Sequence, residues 1–148
     1  MTSRLSSVRL AAALALAVGF AAAHADDATA LSAASKEQGA VVTASGLVYK
    51  SIKDGSGPSP KASDKVKVNY KGTLTDGTKF DASADHGGPI SFRLNEVIPC
   101  WTEGVQKLKV GGKAKLTCPS AIAYGARSMG PIASNSTLVF EVELVGIN

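Results

Sequence analysis

Three separate segments of the chain alternate apolar and polar residues with a period of two. The segments are residues 65–70, 113–118 and 138–144. Their apolar positions are Val66, Val68, Tyr70, Ala114, Leu116, Cys118, Leu138, Phe140, Val142 and Leu144. Because successive side chains of a strand point to opposite faces of a sheet, this pattern predicts antiparallel strands with one face buried. Residues 47–52 and 90–94 are shorter strand candidates, and glycine-containing turns separate them from the others.

The segment at residues 99–108 breaks this alternation. Trp101, Val105 and Leu108 recur at helical spacing, and Pro99 suits the first turn of a helix. The spacing predicts a short amphipathic helix, the only substantial helix of the folded domain. A sheet with one apolar face needs a second layer laid across it. The sequence therefore predicts an α+β fold in which this helix covers an antiparallel sheet.

The first 25 residues have the features of a secretory signal peptide. Arg4 and Arg9 precede an apolar run at residues 10–23, which ends in a small-x-small tripeptide at residues 23–25. The run is short for a transmembrane helix. The pattern predicts cleavage after residue 25, export to the periplasm, and no membrane attachment of the mature chain. An uncleaved anchor that carries a periplasmic domain is the alternative.

Composition describes one ordinary domain preceded by a leader. Residues 26–45 are rich in Ala, Ser and Thr and predict a flexible leader with at most a short helix, and residues 46–148 predict a single folded domain. Loss of Arg4 and Arg9 reduces the 16 basic residues to 14 against 12 acidic ones, so the mature chain is nearly neutral. A solvated outer face explains the basic cluster, and no nucleic-acid partner is predicted. The cluster consists of Lys107, Lys109, Lys113 and Lys115.

The two cysteines, Cys100 and Cys118, are a candidate disulfide, since an exported protein permits one. Two free thiols that pack as small apolar side chains are the alternative. A catalytic thiol is not expected, because His86 is the only histidine after residue 25 and no further partner group is evident. The sequence shows no metal-ligand cluster, phosphate-binding glycine loop or Ser/His/Asp set, so neither a metal nor a cofactor is predicted.

Five segments, taken in order, resemble the FKBP-type peptidyl-prolyl cis-trans isomerases. They read YKGTL at 70–74, DGTKFD at 76–81, VIPCWTEG at 97–104, AYG at 123–125 and STLVFEVEL at 136–144. The resemblance extends over about residues 47–147. It implies a curved antiparallel sheet wrapped around one short helix, with the site between them. It also implies rotamase activity without a cofactor. Larger exported relatives carry a long helical dimerisation domain ahead of the isomerase domain. The given sequence shows no such segment, so we expect a monomer.

The resemblance implies an apolar pocket in which Trp101 lies under a proline ring. Three catalytic roles follow from it. Tyr124 would reach the substrate through its hydroxyl, the backbone N–H of Ile98 would donate to a substrate carbonyl, and Asp81 would lie beside the twisting amide. The other candidate substrate-binding residues are Tyr70, Phe80, Val97, Ile132, Phe140, Ile90 and His86. Without the resemblance, Trp101, Phe80 and Phe140 are better explained as core residues. The resemblance reverses this preference for Trp101, Phe80 and Tyr124.

Departures from the family pattern concern the rim of the pocket. His86 stands where relatives often have arginine, and Ile90 stands where they have phenylalanine. The loop at residues 126–134 differs from theirs in length and content. These positions bear on substrate preference and on affinity for tacrolimus-like macrolides.

An apolar lining suits a reaction that makes and breaks no covalent bond. Prolyl isomerisation has a barrier of about 18–20 kcal/mol, which comes from lost amide resonance and needs no proton or nucleophile. We therefore predict an enzyme that isomerises X-Pro bonds in unfolded or partly folded exported polypeptides. A non-catalytic chaperone or protein-binding module that uses the same pocket is the alternative. A carbohydrate-binding or scaffolding β-domain is a third hypothesis, which an exposed aromatic platform would favour.

Overall fold

The computed structural model describes residues 21–148. Most of the predicted signal peptide lies outside the described residues. Two helices and seven strands make up the fold: α1 (Ala21–Ser35), β1 (Ala40–Val42), β2 (Val48–Lys53), β3 (Lys65–Leu74), β4 (Lys79–Ala82), β5 (Ile90–Arg93), α2 (Pro99–Val105), β6 (Lys113–Cys118) and β7 (Leu138–Ile147). Short 3₁₀ turns lie at Ser83–His86, Leu94–Glu96 and Ser120–Ile122. Within these residues, no helix combines the length and apolarity needed to cross a bilayer.

All strand pairs are antiparallel and form one sheet. Its order is β1-β2-β6-β7-β3-β4, and β5 pairs with β3 beside this path. The two longest strands, β3 and β7, lie next to each other at the centre of the pairing. The α+β fold class predicted from the sequence is confirmed.

The core lies between the sheet and α2, and the predicted alternation sets its composition. Along β3 the residues alternate between exposed and buried from Lys65 to Val68. Along β7, from Leu138 to Leu144, every second residue is buried and those between are half-buried or exposed. Fully buried side chains come from both layers: Leu47, Val66, Val68, Leu94, Cys100, Val105, Ala114, Leu116, Cys118, Leu138, Val142 and Leu144. Burial of such side chains is worth roughly 1.5–3 kcal/mol each, so this layer dominates stability.

Helix α2 lies close against the sheet because Gly104 has no side chain. A Cβ atom at Gly104 would lie 2.8 Å from both methyl carbons of Leu116 on β6. The helix ends at Val105, three residues before the predicted end. The N–H groups of Lys107 and Leu108 bond to carbonyls three residues back, at 3.1 Å each. An α-helix needs bonds four residues back, so these contacts mark its end. Gly111, at φ 90°, then turns the chain into β6.

Cys100 and Cys118 form a disulfide that joins the first turn of α2 to the end of β6. Their Cα atoms are 5.9 Å apart, and both side chains are fully buried. The bond therefore fixes one end of the helix against the sheet.

The leader segment carries regular structure. Strand β1 pairs with β2, and Glu37 accepts hydrogen bonds from Lys115 Nζ at 2.8 Å and Lys50 Nζ at 3.1 Å. The bonds from Lys115 and then Lys50 lower the pKa of Glu37. Over residues 26–45 the structure thus has part of α1 and all of β1, where the sequence predicted at most a short helix, and the flexibility of this leader stays a prediction. The sheet begins before residue 46, because β1 pairs with β2.

Candidate active site

A pocket of about 330 Å³ opens between α2 and the sheet. Its lining comes from strands β3, β4, β5 and β7, helix α2, and the segments that follow β5 and the third 3₁₀ turn. The lining residues are Tyr70, Phe80, Asp81, Phe92, Glu96, Val97, Ile98, Trp101, Tyr124 and Phe140. Most are apolar or aromatic, so a bound group leaves water for a largely apolar surface.

Trp101 lies in the first half of α2 and is 5% exposed. Three aromatic rings contact it edge to face. The centroid distances are 5.1 Å to Tyr70, 5.4 Å to Phe140 and 5.7 Å to Phe92. Edge-to-face pairs of this kind are each worth about 0.5–1.5 kcal/mol beyond the area they bury. The surrounding strands therefore hold the indole in one orientation at the base of the pocket.

Gly72 allows Phe80 and Phe140 to form one wall of the pocket. On β3 it lies opposite Phe140 on β7 and Asp81 on β4. A Cβ atom there would lie 2.5 Å from Cζ of Phe80 and 3.0 Å from Cε1 of Phe140. The two rings meet edge to face with centroids 5.6 Å apart. Any side chain at Gly72 would occupy space that these rings use.

Asp81 is the hydrogen-bonded carboxylate of the pocket. Its Oδ2 accepts a bond of 2.6 Å from the Tyr70 hydroxyl. Its Oδ1 accepts one of 2.9 Å from the Ala82 N–H and lies 2.8 Å from Nε2 of His86. Burial raises the pKa of Asp81, whereas the hydrogen bonds from Tyr70, His86 and Ala82 lower it. The hydrogen bonds outweigh burial, so the pKa of Asp81 lies below its ordinary value. Asp81 is therefore ionised at neutral pH.

The two tyrosines beside Asp81 keep their protons. Burial, and then the hydrogen bond to Asp81, raise the pKa of Tyr70. Burial, and then the charge of Asp81, raise the pKa of Tyr124. Neither phenol ionises at neutral pH, so Tyr124 presents a neutral hydroxyl to the pocket.

Ile98 offers a backbone donor at the start of α2. Its carbonyl accepts bonds from the N–H groups of Trp101 at 3.0 Å and Thr102 at 3.2 Å. Its own N–H makes no hydrogen bond to any residue that the structure describes. The extended conformation of Ile98, at φ −57° and ψ 147°, precedes the helix. A donor is thus available at the pocket, next to Val97.

Comparison with known proteins identifies the family. The family model for FKBP-type peptidyl-prolyl cis-trans isomerases matches residues 57–145, more than half of the chain. The chain belongs to this family. It is 56% identical over 117 residues to the FKBP-type peptidyl-prolyl cis-trans isomerase FkpA of Aeromonas hydrophila. That match covers 79% of this chain and 44% of the relative, so the chain spans less than half of the relative's length.

Two solved structures share the FKBP-type fold. The crystal structure of FkpA from Escherichia coli has a TM-score of 0.83 and 48% identity, and covers 86% of this chain and 60% of that one. The crystal structure of a peptidyl-prolyl cis-trans isomerase from Pseudomonas syringae has a TM-score of 0.80 and 36% identity. That match covers 88% of this chain and 97% of the other. The match of the family model at residues 57–145 spans β3, β4, β5, α2, β6 and most of β7, the elements that line the pocket or support it.

The structure brings together most of the residues that the FKBP resemblance predicts. Tyr70, Phe80, Asp81, Val97, Ile98, Trp101, Tyr124 and Phe140 all line the pocket. Ile132, Ile90 and His86 do not. Ile132 is 5% exposed and packs in the core, Ile90 pairs with Val68 on β3, and His86 reaches the site only through Asp81. Whether the predicted residues bind substrate stays a prediction.

Two lining residues of this FKBP-type pocket, Phe92 and Glu96, were not predicted. Phe92 lies on β5, two residues after Ile90, and its ring is 5.7 Å from that of Trp101. The sequence did carry a signal for Phe92. Ile90, Phe92 and Leu94 are alternate residues of a strand candidate, so they share one face, and their apolar character indicates that this face is buried. No pattern distinguishes Glu96, which lies in a short turn after the strand.

Proposed function

We propose that this chain is a peptidyl-prolyl cis-trans isomerase that acts on X-Pro bonds of exported, unfolded or partly folded polypeptides. The observation that carries the proposal is the aromatic pocket above Trp101, with the ionised Asp81 and its Tyr70 bond at one side. This arrangement occurs in a chain that belongs to the isomerase family.

In the proposed mechanism, the proline ring lies on Trp101 between Phe80 and Phe140. Resonance gives the planar amide a charged oxygen, and twisting withdraws that charge. A pocket lined by aromatic rings therefore favours the twisted amide over the planar one. Preferential binding of about 5 kcal/mol would raise the rate more than a thousandfold.

Polar groups at the pocket would hold the peptide while its bond rotates. The Ile98 N–H would donate to a carbonyl of the substrate, and the Tyr124 hydroxyl would bond to the chain on the other side. Asp81 would orient Tyr70 through their hydrogen bond, and its negative charge would interact with the polar end of the ligand. It is not a general base, because the reaction moves no proton.

The site of action is proposed to be the periplasm, after removal of residues 1–25. The disulfide between Cys100 and Cys118 supports this proposal, because such bonds persist in oxidising compartments. The same pocket is proposed to accept tacrolimus-like macrolides, and these compounds should compete with peptide turnover.

Loss of the Asp81 carboxylate is the direct test of the proposed function. In a coupled protease assay of a Leu-Pro peptide, we expect Asp81→Ala to lower kcat/KM by tenfold or more, since a hydrogen bond to a charged group is worth about 1.5–3 kcal/mol. Asp85→Ala is the matched control, because Asp85 lies in the same region but pairs with Lys79 outside the pocket. Circular dichroism checks that both variants are folded.

Equal turnover by the two variants would remove Asp81 from the site. A folded wild-type protein with no turnover above background would instead favour the binding-module alternative. That alternative would then be tested by suppression of aggregation of an unfolded client.

A second prediction concerns the space at Gly72. Gly72→Ala is expected to lower kcat/KM and to reduce the free energy of unfolding by about 1–3 kcal/mol, because its Cβ would displace Phe80 and Phe140. Gly146→Ala is the control. A Cβ at Gly146 on β7 meets no atom within 4 Å, so little change is expected. Urea denaturation and peptide turnover give the two readouts. If both variants behave alike, the contact at Gly72 does not shape the site.

A further inference from the structure

The charged residues that line the pocket are all acidic. Among its ten lining residues only Asp81 and Glu96 carry a charge, and no basic side chain lines the described pocket. The two acids lie on different elements, Asp81 on β4 and Glu96 in the turn that leads to Val97. An apolar cleft with one sign of charge favours ligands of the opposite charge.

Glu96 is the acid that is open to a ligand. Asp81 already accepts bonds from Tyr70, His86 and the Ala82 N–H. Glu96, in contrast, is exposed, and within residues 21–148 its side chain forms neither a hydrogen bond nor an ion pair. Its carboxylate is therefore available at the rim, two residues from the Ile98 N–H.

Basic side chains elsewhere do not neutralise Glu96. Lys79 pairs with Asp85 at 3.0 Å, and His86 pairs with Asp81 at 2.8 Å. Arg93 lies on the exposed end of β5, and no ion pair within 4.0 Å joins it to Glu96. The negative charge at the rim thus has no partner among the described residues.

We propose that Glu96 gives this pocket a preference for X-Pro substrates that carry lysine or arginine immediately before or after the proline. The inference rests on the proposed isomerase function and names its substrate class. Glu96 is a specificity-determining residue and takes no part in bond rotation. Because exposed ion pairs are weak, the preference is about two- to fivefold in kcat/KM for lysine over glutamine at that position. Glutamate there would be disfavoured by a similar factor.

The test compares peptides that differ only beside the proline. Lysine, glutamine and glutamate are placed before the proline in one series and after it in another. A protease-free assay measures kcat/KM for wild type and Glu96→Gln at low ionic strength. The lysine-to-glutamine ratio should exceed about two in at least one series for wild type and fall towards one in Glu96→Gln. It should also fall in 1 M salt, where screening is strong.

Glu141→Gln is the matched control, because it makes the same change of net charge on β7 outside the pocket. This variant should keep the wild-type ratio. An equal ratio in wild type and Glu96→Gln, or no lysine preference in either series, overturns the inference.

A Leu-Pro peptide separates failure of the inference from failure of the proposed function. Turnover of Leu-Pro without a lysine preference rejects only the inference. If Leu-Pro is not turned over, the same peptides are compared by binding. Trp101 is the single tryptophan and lines the pocket, so its fluorescence reports occupancy. For each protein, the Kd of the glutamine peptide is divided by the Kd of the lysine peptide. This ratio should exceed about two in wild type and fall towards one in Glu96→Gln; equal ratios in the two proteins overturn the inference.

Discussion

Replacing Trp101 with alanine is expected to remove most peptide turnover and to lower the free energy of unfolding by about 3–5 kcal/mol. The indole is 5% exposed and contacts three aromatic rings, so its loss leaves a cavity that they cannot fill. It also removes the surface on which the proline ring is proposed to lie. If that contact contributes about 2–3 kcal/mol to transition-state binding, its loss lowers kcat/KM by roughly 30- to 160-fold. Urea denaturation and Leu-Pro turnover measure the two effects.

Two further variants separate the pocket from stability. Val105 lies one turn further along α2, fully buried and outside the pocket. Val105→Ala should lose about 2 kcal/mol of stability and keep its kcat/KM when assayed below its unfolding transition. Trp101→Phe should retain more turnover than Trp101→Ala, because a smaller ring still covers the base. Equal loss of turnover in Trp101→Ala and Val105→Ala would show that Trp101 acts through stability alone.

Much of the fold could be predicted because its long strands are buried on one face. The alternation over residues 113–118 matches β6, and that over 65–70 and 138–144 falls within β3 and β7. Of the short strands, β5 was predicted from residues 90–94, but β1 and β4 were not. Strand β1 has three residues, and β4 has four with one large apolar residue, Phe80, so periodicity does not distinguish them from loops. Pairing with a longer neighbour, β3 or β2, makes them strands.

The site could be predicted only through the family resemblance. Its residues come from strands, a helix and connecting segments between Tyr70 and Phe140, and no spacing rule brings such distant positions together. Burial and pairing do so, as when β3 places Gly72 beside both Phe140 and Asp81. Glu96 had no sequence signal, because a carboxylate in a turn resembles any solvated residue.

Removing the disulfide is expected to have the other large effect. The double variant Cys100→Ala with Cys118→Ala should lose about 3 kcal/mol of stability, since the bond closes a loop between residues 18 apart. For a domain of this size the unfolding midpoint should fall by roughly 10 °C. The loss should reach the pocket, because Cys100 precedes Trp101 in α2 and Cys118 leads into the segment that carries Tyr124. Thermal unfolding and Leu-Pro turnover at increasing temperature are the measurements.

A reductant provides the control for this prediction. Wild type unfolded and refolded in dithiothreitol should match the double variant, whose own stability should not respond to the reductant. Coincident unfolding curves for wild type and double variant without reductant would contradict the prediction. A loss of about 3 kcal/mol is a large share of the 5–15 kcal/mol typical of domains. In a reducing compartment this chain would lose that share, so the same experiment measures how far its stability depends on the oxidising environment to which export is proposed to bring it.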